Sequence, residues 1–280
     1  MYGLPTSVSH FKDFLSMKKV YNETNNACEV LSTYGVYWNE FESDLAYIDI
    51  DEIADRIMEY PDYLSDHESD RDGCIINMEE YTTSLANAVS EALDYMIENA
   101  ENELFDKECI TKDLFNEGDQ IITFNYTSTI EQLYDLPKGT KIYHIHGNTY
   151  ENKIFGYCEP QIKVKEPFSV EDNDDDYYKD YYIEQQRILL NDFYKSFQKN
   201  YQFEQLKNFL YDECKRIKEI VVIGHSMGKV DSEYMEIIDR VINPKQWYVS
   251  QYNNDPDKNT LNEYSFADRI EIYNSQDLLK

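Results

Sequence analysis

Three short apolar runs of this chain end in polar side chains that could do chemistry. They are residues 121–124 followed by Asn125, residues 141–145 followed by His146 and Gly147, and residues 220–223 followed by Gly224, His225 and Ser226. Each run is short and rich in β-branched residues, which is typical of a buried strand rather than a helix. Ligands of open α/β sheets bind just beyond the carboxyl ends of the strands, so we expect the three polar ends to share one pocket.

Histidine and asparagine at strand ends suggest proton transfer close to a sugar or a water. His146 is a candidate general base, because the ordinary pKa of imidazole is about 6.5; a purely structural role is an equal alternative. We expect His144 to face the opposite side of the sheet and to pack against a helix layer. Asn125 both donates and accepts, so it could orient a ribose hydroxyl or a water, or instead cap the next helix through an Asx turn.

Residues 224–228 also match G-x-S-x-G, the turn that carries the nucleophile of α/β-hydrolases. That fold needs its triad in the order serine, acid, histidine. The histidines of the chain are His10, His67, His144, His146 and His225, and none follows Ser226. A serine hydrolase on Ser226 is therefore the less favoured interpretation. The same loop could be a glycine turn, or a polar loop that faces a ribose or a phosphate at a helix N-terminus.

The elements around these strands predict an α/β fold. Helices are expected at 38–60 and 78–101, separated by an acidic loop at 61–73, and they form a helical insertion at 36–105. After residue 118 strands and helices alternate, which predicts a mostly parallel sheet flanked by helices over 118–280. Further strands are expected at 154–157, 247–249 and 270–273, and Asp231 or Ser232 is expected to cap a helix.

Composition narrows the class of protein. With 280 residues, 41% of them hydrophobic, the chain can build a real core. Its net charge of −29 repels phosphate backbones, so we expect no direct contact with nucleic acid. No apolar run approaches the roughly 20 residues of a membrane span, and we expect a cytoplasmic protein. The acidic run at 171–178 is typical of a solvated loop, and we expect no metal.

Several segments resemble, in the same order, motifs of the AbiH family, bacterial proteins linked to abortive infection by bacteriophage. The segments are 3–7 with 14–15, Trp38 with 41–42, 124–127, 143–147, and 223–228 with Asp231. They span nearly the whole chain, which implies a single AbiH-like domain over 1–280. AbiH proteins usually open with a strand and a Gly-Asn-Gly-Phe-Asp loop just before the first of these segments. Met1 lies almost directly on that segment, so we expect the N-terminal strand to be missing.

Through this family the chain is distantly similar to sirtuin-like, NAD-binding domains. Asn125 matches the sirtuin-type asparagine, His146-Gly147 match the His-Gly of the catalytic base, and Gly224 and Ser226 match a Gly-x-Ser loop on the nucleotide. The resemblance implies a Rossmann-like fold that cleaves the nicotinamide–ribose bond of NAD. His146 would be the base, and Asn125 would hold the ribose or the water. Thr127 stands where sirtuins usually carry aspartate.

The resemblance also implies which residues surround the nucleotide. They are Gly147, Gly224, His225, Ser226, Asp231 and, near the start of the chain, Thr6. The alternative is a non-catalytic nucleotide-binding or protein-interaction module of a defence system. For either interpretation we expect a nucleotide as the small-molecule partner, and a homo-oligomer or a partner protein of the defence system.

Overall fold

The computed structural model describes residues 4–17, 38–110, 114–151, 153–160, 180–251 and 256–274. Gly3 of the first family segment and the acidic run at 171–178 lie outside these residues. The chain divides into two compact units. The first consists of Met1–Ala100 and Phe155–Lys199, and the second of Glu101–Ile154 and Asn200–Lys280.

The described residues contain both helices and strands. The helices are α1 (Val8–Met17), α2 (Trp38–Asp44), α3 (Ile50–Ile57), α4 (Glu68–Leu104), α5 (Thr129–Leu133), α6 (Tyr181–Ser196), α7 (Phe203–Glu213), α8 (Ser232–Ile242) and α9 (Lys258–Asn262). Short 3-10 helices lie at Leu45–Tyr47, Lys229–Asp231 and Ala267–Arg269. The strands are β1 (Ile121–Thr123), β2 (Ile142–His144), β3 (Glu219–Val222), β4 (Gln246–Gln251) and β5 (Ile270–Asn274).

The helices of the first unit differ from the predicted ones at their ends. The single helix expected at 38–60 is broken into α2, a 3-10 helix and α3. The break occurs because the Asp49 carboxylate accepts a hydrogen bond from the Glu52 amide at 2.8 Å and so starts a new helix. Helix α4 begins at Glu68, inside the expected loop, and acidic side chains in its first turn favour that start.

All of the described strands lie in the second unit, and all of their pairings are parallel. Strand β1 pairs with β2, with Ile121 opposite Ile142. Strand β4 lies between β3 and β5. The prediction of short parallel strands mixed with helices is confirmed, although the described strands form two sheets rather than one. The strand expected at 154–157 is absent, since Tyr157 makes only an isolated bridge with Gln198. A Rossmann-like or sirtuin-like arrangement stays a prediction.

The core of the second unit holds the ends of β3 and α8 in place. Trp247 on β4 is fully buried and stacks on Phe266, with ring centroids 4.4 Å apart. Its indole N–H donates to Asp239 Oδ1 on α8 at 2.9 Å, and Asp239 Oδ2 lies 2.7 Å from Arg269 Nη2. Because both carboxylate oxygens are paired, burying Asp239 does not leave an uncompensated charge. Sheet and helix are thus fixed on either side of the loop at 223–231.

Within the described residues, no helix combines the length and the apolar character that crossing a bilayer requires.

Gly156 in the first unit has no room for a side chain. Its φ is +127°, and a Cβ atom built there would overlap the backbone carbonyl of Phe197. The Gly156 amide donates to Glu42 Oε1 at 3.1 Å, and Glu42 also lies 3.4 Å from the buried ammonium of Lys199. A glycine is therefore required where this segment passes over the end of α6.

We expect Gly156→Ala to lower the free energy of unfolding by more than about 3 kcal/mol, because both the φ angle and the carbonyl overlap oppose a side chain. The measurement is urea unfolding followed by circular dichroism. Gly73→Ala is the matched control, since Gly73 lies inside α4 with open space around it. It should stabilise the protein by roughly 0.5–1 kcal/mol. Equal stability of the Gly156→Ala variant and the unmodified protein would contradict the steric argument.

Candidate functional site

The centre of the candidate site is a buried pair formed by His146 and Asp231. His146 Nε2 lies 3.0 Å from Asp231 Oδ1, and the two residues are only 5% and 7% exposed. His146 comes two residues after the end of β2, where the Ile145 amide still donates to Thr123 of β1 at 3.0 Å. The chain then turns at Gly147, whose φ of +79° favours glycine. The strand pairing and this turn together place the imidazole.

A second histidine approaches the same carboxylate. His225 Nε2 lies 3.4 Å from Asp231 Oδ2. The other ring nitrogen, Nδ1, accepts a hydrogen bond from the Met227 amide at 2.8 Å. An accepting Nδ1 carries no proton, so the neutral ring must carry its proton on Nε2, the atom nearest Asp231. One carboxylate therefore lies between two imidazole rings.

The loop that carries His225 is held by the residues around it. The Gly224 amide donates to Ser250 Oγ at 2.9 Å. Met227 is fully buried with φ +51°, a left-handed conformation that costs energy in any residue except glycine. Its carbonyl accepts from the Tyr264 hydroxyl at 2.8 Å. Burial, together with the negative charge of Asp231, raises the pKa of Tyr264, so this phenol stays a neutral donor.

Aromatic rings surround the two histidines. Phe124, directly after β1, meets the His146 ring edge-on with centroids 5.3 Å apart and lies 4.1 Å from the His225 ring. Tyr126 and Tyr234 lie at 5.9 and 6.0 Å from the His146 ring. Such surroundings lower the local dielectric constant and strengthen the interaction between the imidazole and the carboxylate.

The structure brings part of the predicted site together. His146, His225 and Asp231 meet, Gly147 forms the turn after His146, and Gly224 and Ser226 lie on the loop of His225. Asn125 is exposed between two residues that contact the His146 ring, and its carbonyl accepts from His144. Thr6 belongs to the first unit, where its amide donates to Leu4 at 2.8 Å.

Two local predictions about these residues change. The side chain of Asp231 does not cap α8, because it faces the histidines instead. Asn125 does not cap α5 through its side chain, since the residue at the N-cap is Ser128, which Glu101 binds. Ser226 has an ordinary φ, whereas a hydrolase nucleophile occupies the strained position of its turn; here that position belongs to Met227.

Sequence reasoning missed the residues that support the histidines. Phe124 and Tyr126 flank Asn125. Their position beside a predicted site residue was a signal that could have identified them. Tyr234 follows Asp231 by three residues, one turn along α8. Nothing in the sequence marked Met227 or Tyr264, because their roles depend on a backbone conformation and on a distant hydroxyl.

Among the described residues, no group of three or more His, Cys, Asp or Glu is arranged to hold a metal ion.

His144 has different partners from His146. Its Nε2 lies 2.7 Å from Glu131 Oε1 on α5, and its Nδ1 lies 3.0 Å from the Asn125 carbonyl. His144 thus contacts a helix, as the sequence predicts. The prediction that alternation sends His144 and His146 to opposite faces is wrong, since residues two apart in a strand share a face. The two histidines have different surroundings because β2 ends at His144 and the chain turns after it.

The surroundings of His144 favour its charged form. Burial alone would lower the pKa of His144, but the hydrogen bonds to Glu131 and to the Asn125 carbonyl outweigh burial and raise this pKa. Burial would likewise raise the pKa of Glu131, but the contact with His144 lowers it. Both acceptors are satisfied only when the imidazole carries two protons.

We expect this pair to stabilise the fold most between pH about 4.5 and 6.5, the ordinary pKa values of the two groups. The raised pKa of His144 gives stability that is present below its unfolded value and is lost as pH rises through the folded value. The lowered pKa of Glu131 gives stability that is lost at acid pH. His144→Gln should thus cost about 1 kcal/mol at pH 5.5 and less at pH 8.5, measured by urea unfolding.

Lys207→Gln provides the control for this measurement. It removes an exposed ion pair with Glu204, three residues away on α7, and should cost under about 0.5 kcal/mol at either pH. A His144→Gln effect that is equal at both pH values would show that the pair does not titrate in this range.

Comparison with known proteins identifies the family of the chain. The sequence model of the family described as bacteriophage abortive infection AbiH matches residues 1–251. Searches of curated proteins and of solved structures found no significant match. The matched region contains the ends of β1 and β2, the loop of His225 and Asp231. Since the match covers most of the chain, the protein belongs to the AbiH family of bacteriophage abortive infection proteins.

Proposed function

We propose that this protein acts in defence against bacteriophage by hydrolysing the nicotinamide–ribose bond of NAD at the site of His146 and Asp231. The single observation that carries the proposal is the buried contact of 3.0 Å between the imidazole and the carboxylate. A carboxylate that orients a histidine and stabilises its charged form is the usual support of a general base.

The chemistry of NAD suits a site with one base. The nicotinamide ring is a cation in NAD and leaves as a neutral molecule when the bond from its nitrogen to ribose C1′ breaks, so it needs no proton from an acid. Water attacks C1′ and loses one proton. His146 takes that proton, and Asp231 stabilises the imidazolium that forms. The products are nicotinamide and ADP-ribose.

Asn125 has the position of a group that orients a sugar or a water. It is exposed, and the residues on either side of it, Phe124 and Tyr126, both contact the His146 ring. Its backbone is fixed, since the amide donates to Thr123 Oγ1 at 3.1 Å and the carbonyl accepts from His144. The side-chain amide can therefore meet a ribose hydroxyl or the attacking water without a change in the backbone.

The loop of residues 224–228 supplies the second part of the nucleotide site in this proposal. Gly224 is exposed and carries no side chain, so a ribose or phosphate can approach the loop closely there, and Ser226 is half-buried and offers its hydroxyl. Thr6 remains a proposed nucleotide contact on the resemblance alone. The large negative charge of the chain opposes phosphate binding, so these contacts must be short and local.

We expect purified protein to release nicotinamide from NAD, and His146→Gln to lower the rate by about 100-fold or more, the usual contribution of a general base. Chromatographic detection of nicotinamide measures the rate. His67→Gln is the control, because His67 is exposed in the first unit and should leave the rate unchanged. No nicotinamide release, even in extracts of phage-infected cells, would refute the reaction. An unchanged rate in the His146→Gln variant would remove His146 as the base.

The deep burial of His146 and Asp231 favours a second candidate, a non-catalytic nucleotide-binding module of a defence system. In this case the pair would hold the loop in shape and would not transfer a proton. Calorimetry separates the two candidates. Binding of NAD or ADP-ribose without turnover would support the module, whereas turnover that depends on His146 supports the enzyme.

A further inference from the structure

The two histidines beside Asp231 are not equivalent. His146 lies closer to the carboxylate, at 3.0 Å against 3.4 Å for His225. The second ring nitrogen of His225 is more informative than this difference in distance. His225 Nδ1 receives a backbone hydrogen bond from Met227, two residues further along the same loop. This contact has the geometry of an Asx turn, with a ring nitrogen in place of the side-chain oxygen.

We infer that His225 is a positioning residue, which holds the Asp231 carboxylate against His146, and not a contact to the nucleotide. The Met227 amide fixes the ring as the tautomer with its proton on Nε2. The protonated atom, Nε2, is also the ring atom 3.4 Å from Asp231 Oδ2, while His146 Nε2 lies 3.0 Å from Oδ1. The geometry alone supports the positioning role of His225. The effect that we expect on the reaction rate rests on the proposed function.

The strained residue of the loop supports this inference. Met227, whose amide donates to His225, has a left-handed conformation although it carries a side chain. Strain of this kind persists only where surrounding contacts impose it. The Tyr264 hydroxyl clamps the Met227 carbonyl at 2.8 Å, and the Met227 side chain is fully buried. The loop is thus built to hold one orientation of the His225 ring.

The remaining neighbours leave the ring little freedom to turn. The Phe124 ring lies 4.1 Å from the His225 ring, at an angle of 53°. Among the described residues, the titratable groups close to the Asp231 carboxylate include His146, His225 and Tyr264. A ring flip of His225 would give up the Met227 contact and turn a ring carbon toward the carboxylate. The tautomer and the orientation are therefore coupled.

Two variants of His225 separate its two contacts. His225→Asn keeps an acceptor for the Met227 amide, since an asparagine side chain forms an Asx turn with the residue two positions on. It removes the N–H that faces Asp231. His225→Gln does the reverse. It keeps an N–H donor at about the distance of Nε2 and loses the hydrogen bond from the Met227 amide that forms the turn. If His225 positions Asp231, the Asn variant should disturb His146 more than the Gln variant does.

Nitrogen NMR of histidine-labelled protein tests this directly, because long-range proton–nitrogen spectra distinguish the two tautomers of each ring. The chain has five histidines, so single His→Gln variants assign the signals. We expect His225 to carry its proton on Nε2 in the unmodified protein. We expect His225→Asn to shift the ring signals of His146 and His225→Gln to leave them nearly in place. A proton on Nδ1 of His225, or the reverse pattern in the variants, would overturn the inference.

Steady-state kinetics give an independent readout. As a positioning residue, His225 should affect kcat about tenfold in the Asn variant with KM changed less than about twofold. A raised KM with unchanged kcat would instead identify a nucleotide contact and overturn the inference. The spectra need no NAD, so a protein that releases no nicotinamide but shows the expected tautomer and shifts would refute only the proposed reaction.

Discussion

The candidate site depends on one buried charge, the carboxylate of Asp231. A carboxylate with so little access to water is costly unless donors surround it. Two imidazole rings approach its two oxygens, and these rings come from the end of β2 and from the loop after β3. The carboxylate thus joins segments that lie 85 positions apart in the chain. Losing either the charge or its partners would disturb both segments at once.

The parts of the second unit that surround Asp231 are arranged to keep it there. Strand β4 packs Trp247 into the core, and Asp239 ties that ring to α8 and to Arg269. Helix α8 starts at Ser232, immediately after Asp231. The 3-10 helix at Lys229–Asp231 is held by the Tyr201 hydroxyl, which donates to the Val230 carbonyl at 2.7 Å. Rigid elements therefore fix the backbone on both sides of the carboxylate.

Membership of the AbiH family gives this arrangement its biological setting. The family is one of bacteriophage abortive infection, and the matched residues include the histidines and the carboxylate described above. In the function that we propose, the buried imidazole–carboxylate pair takes the proton of the water that attacks NAD. The same pair could instead hold a nucleotide loop in shape, and the difference between the two lies in proton transfer.

The sequence alone determined the short strands, their polar ends and the family. Runs such as 121–124 and 220–223 are recognisable because β-branched residues and abrupt polar ends are local properties. Local patterns also placed His146 and Asn125 at strand ends. Local patterns did not predict that the helix expected at 38–60 is interrupted at Asp49, because the periodicity continues across this cap. They also did not predict that α4 begins as early as Glu68.

Only the tertiary structure decided what the polar residues contact. The sequence predicts that Asp231 caps a helix. Its side chain instead lies between two histidines, because the fold places the end of β2 and the start of α8 next to each other. The difference between His144 and His146 arises from the end of β2 and not from alternation. The orientation of His225 depends on the amide of Met227, and the carbonyl of Met227 accepts a hydrogen bond from Tyr264, 37 positions further along the chain. Such long-range contacts leave no periodic trace in a sequence, because their geometry exists only once the chain has folded.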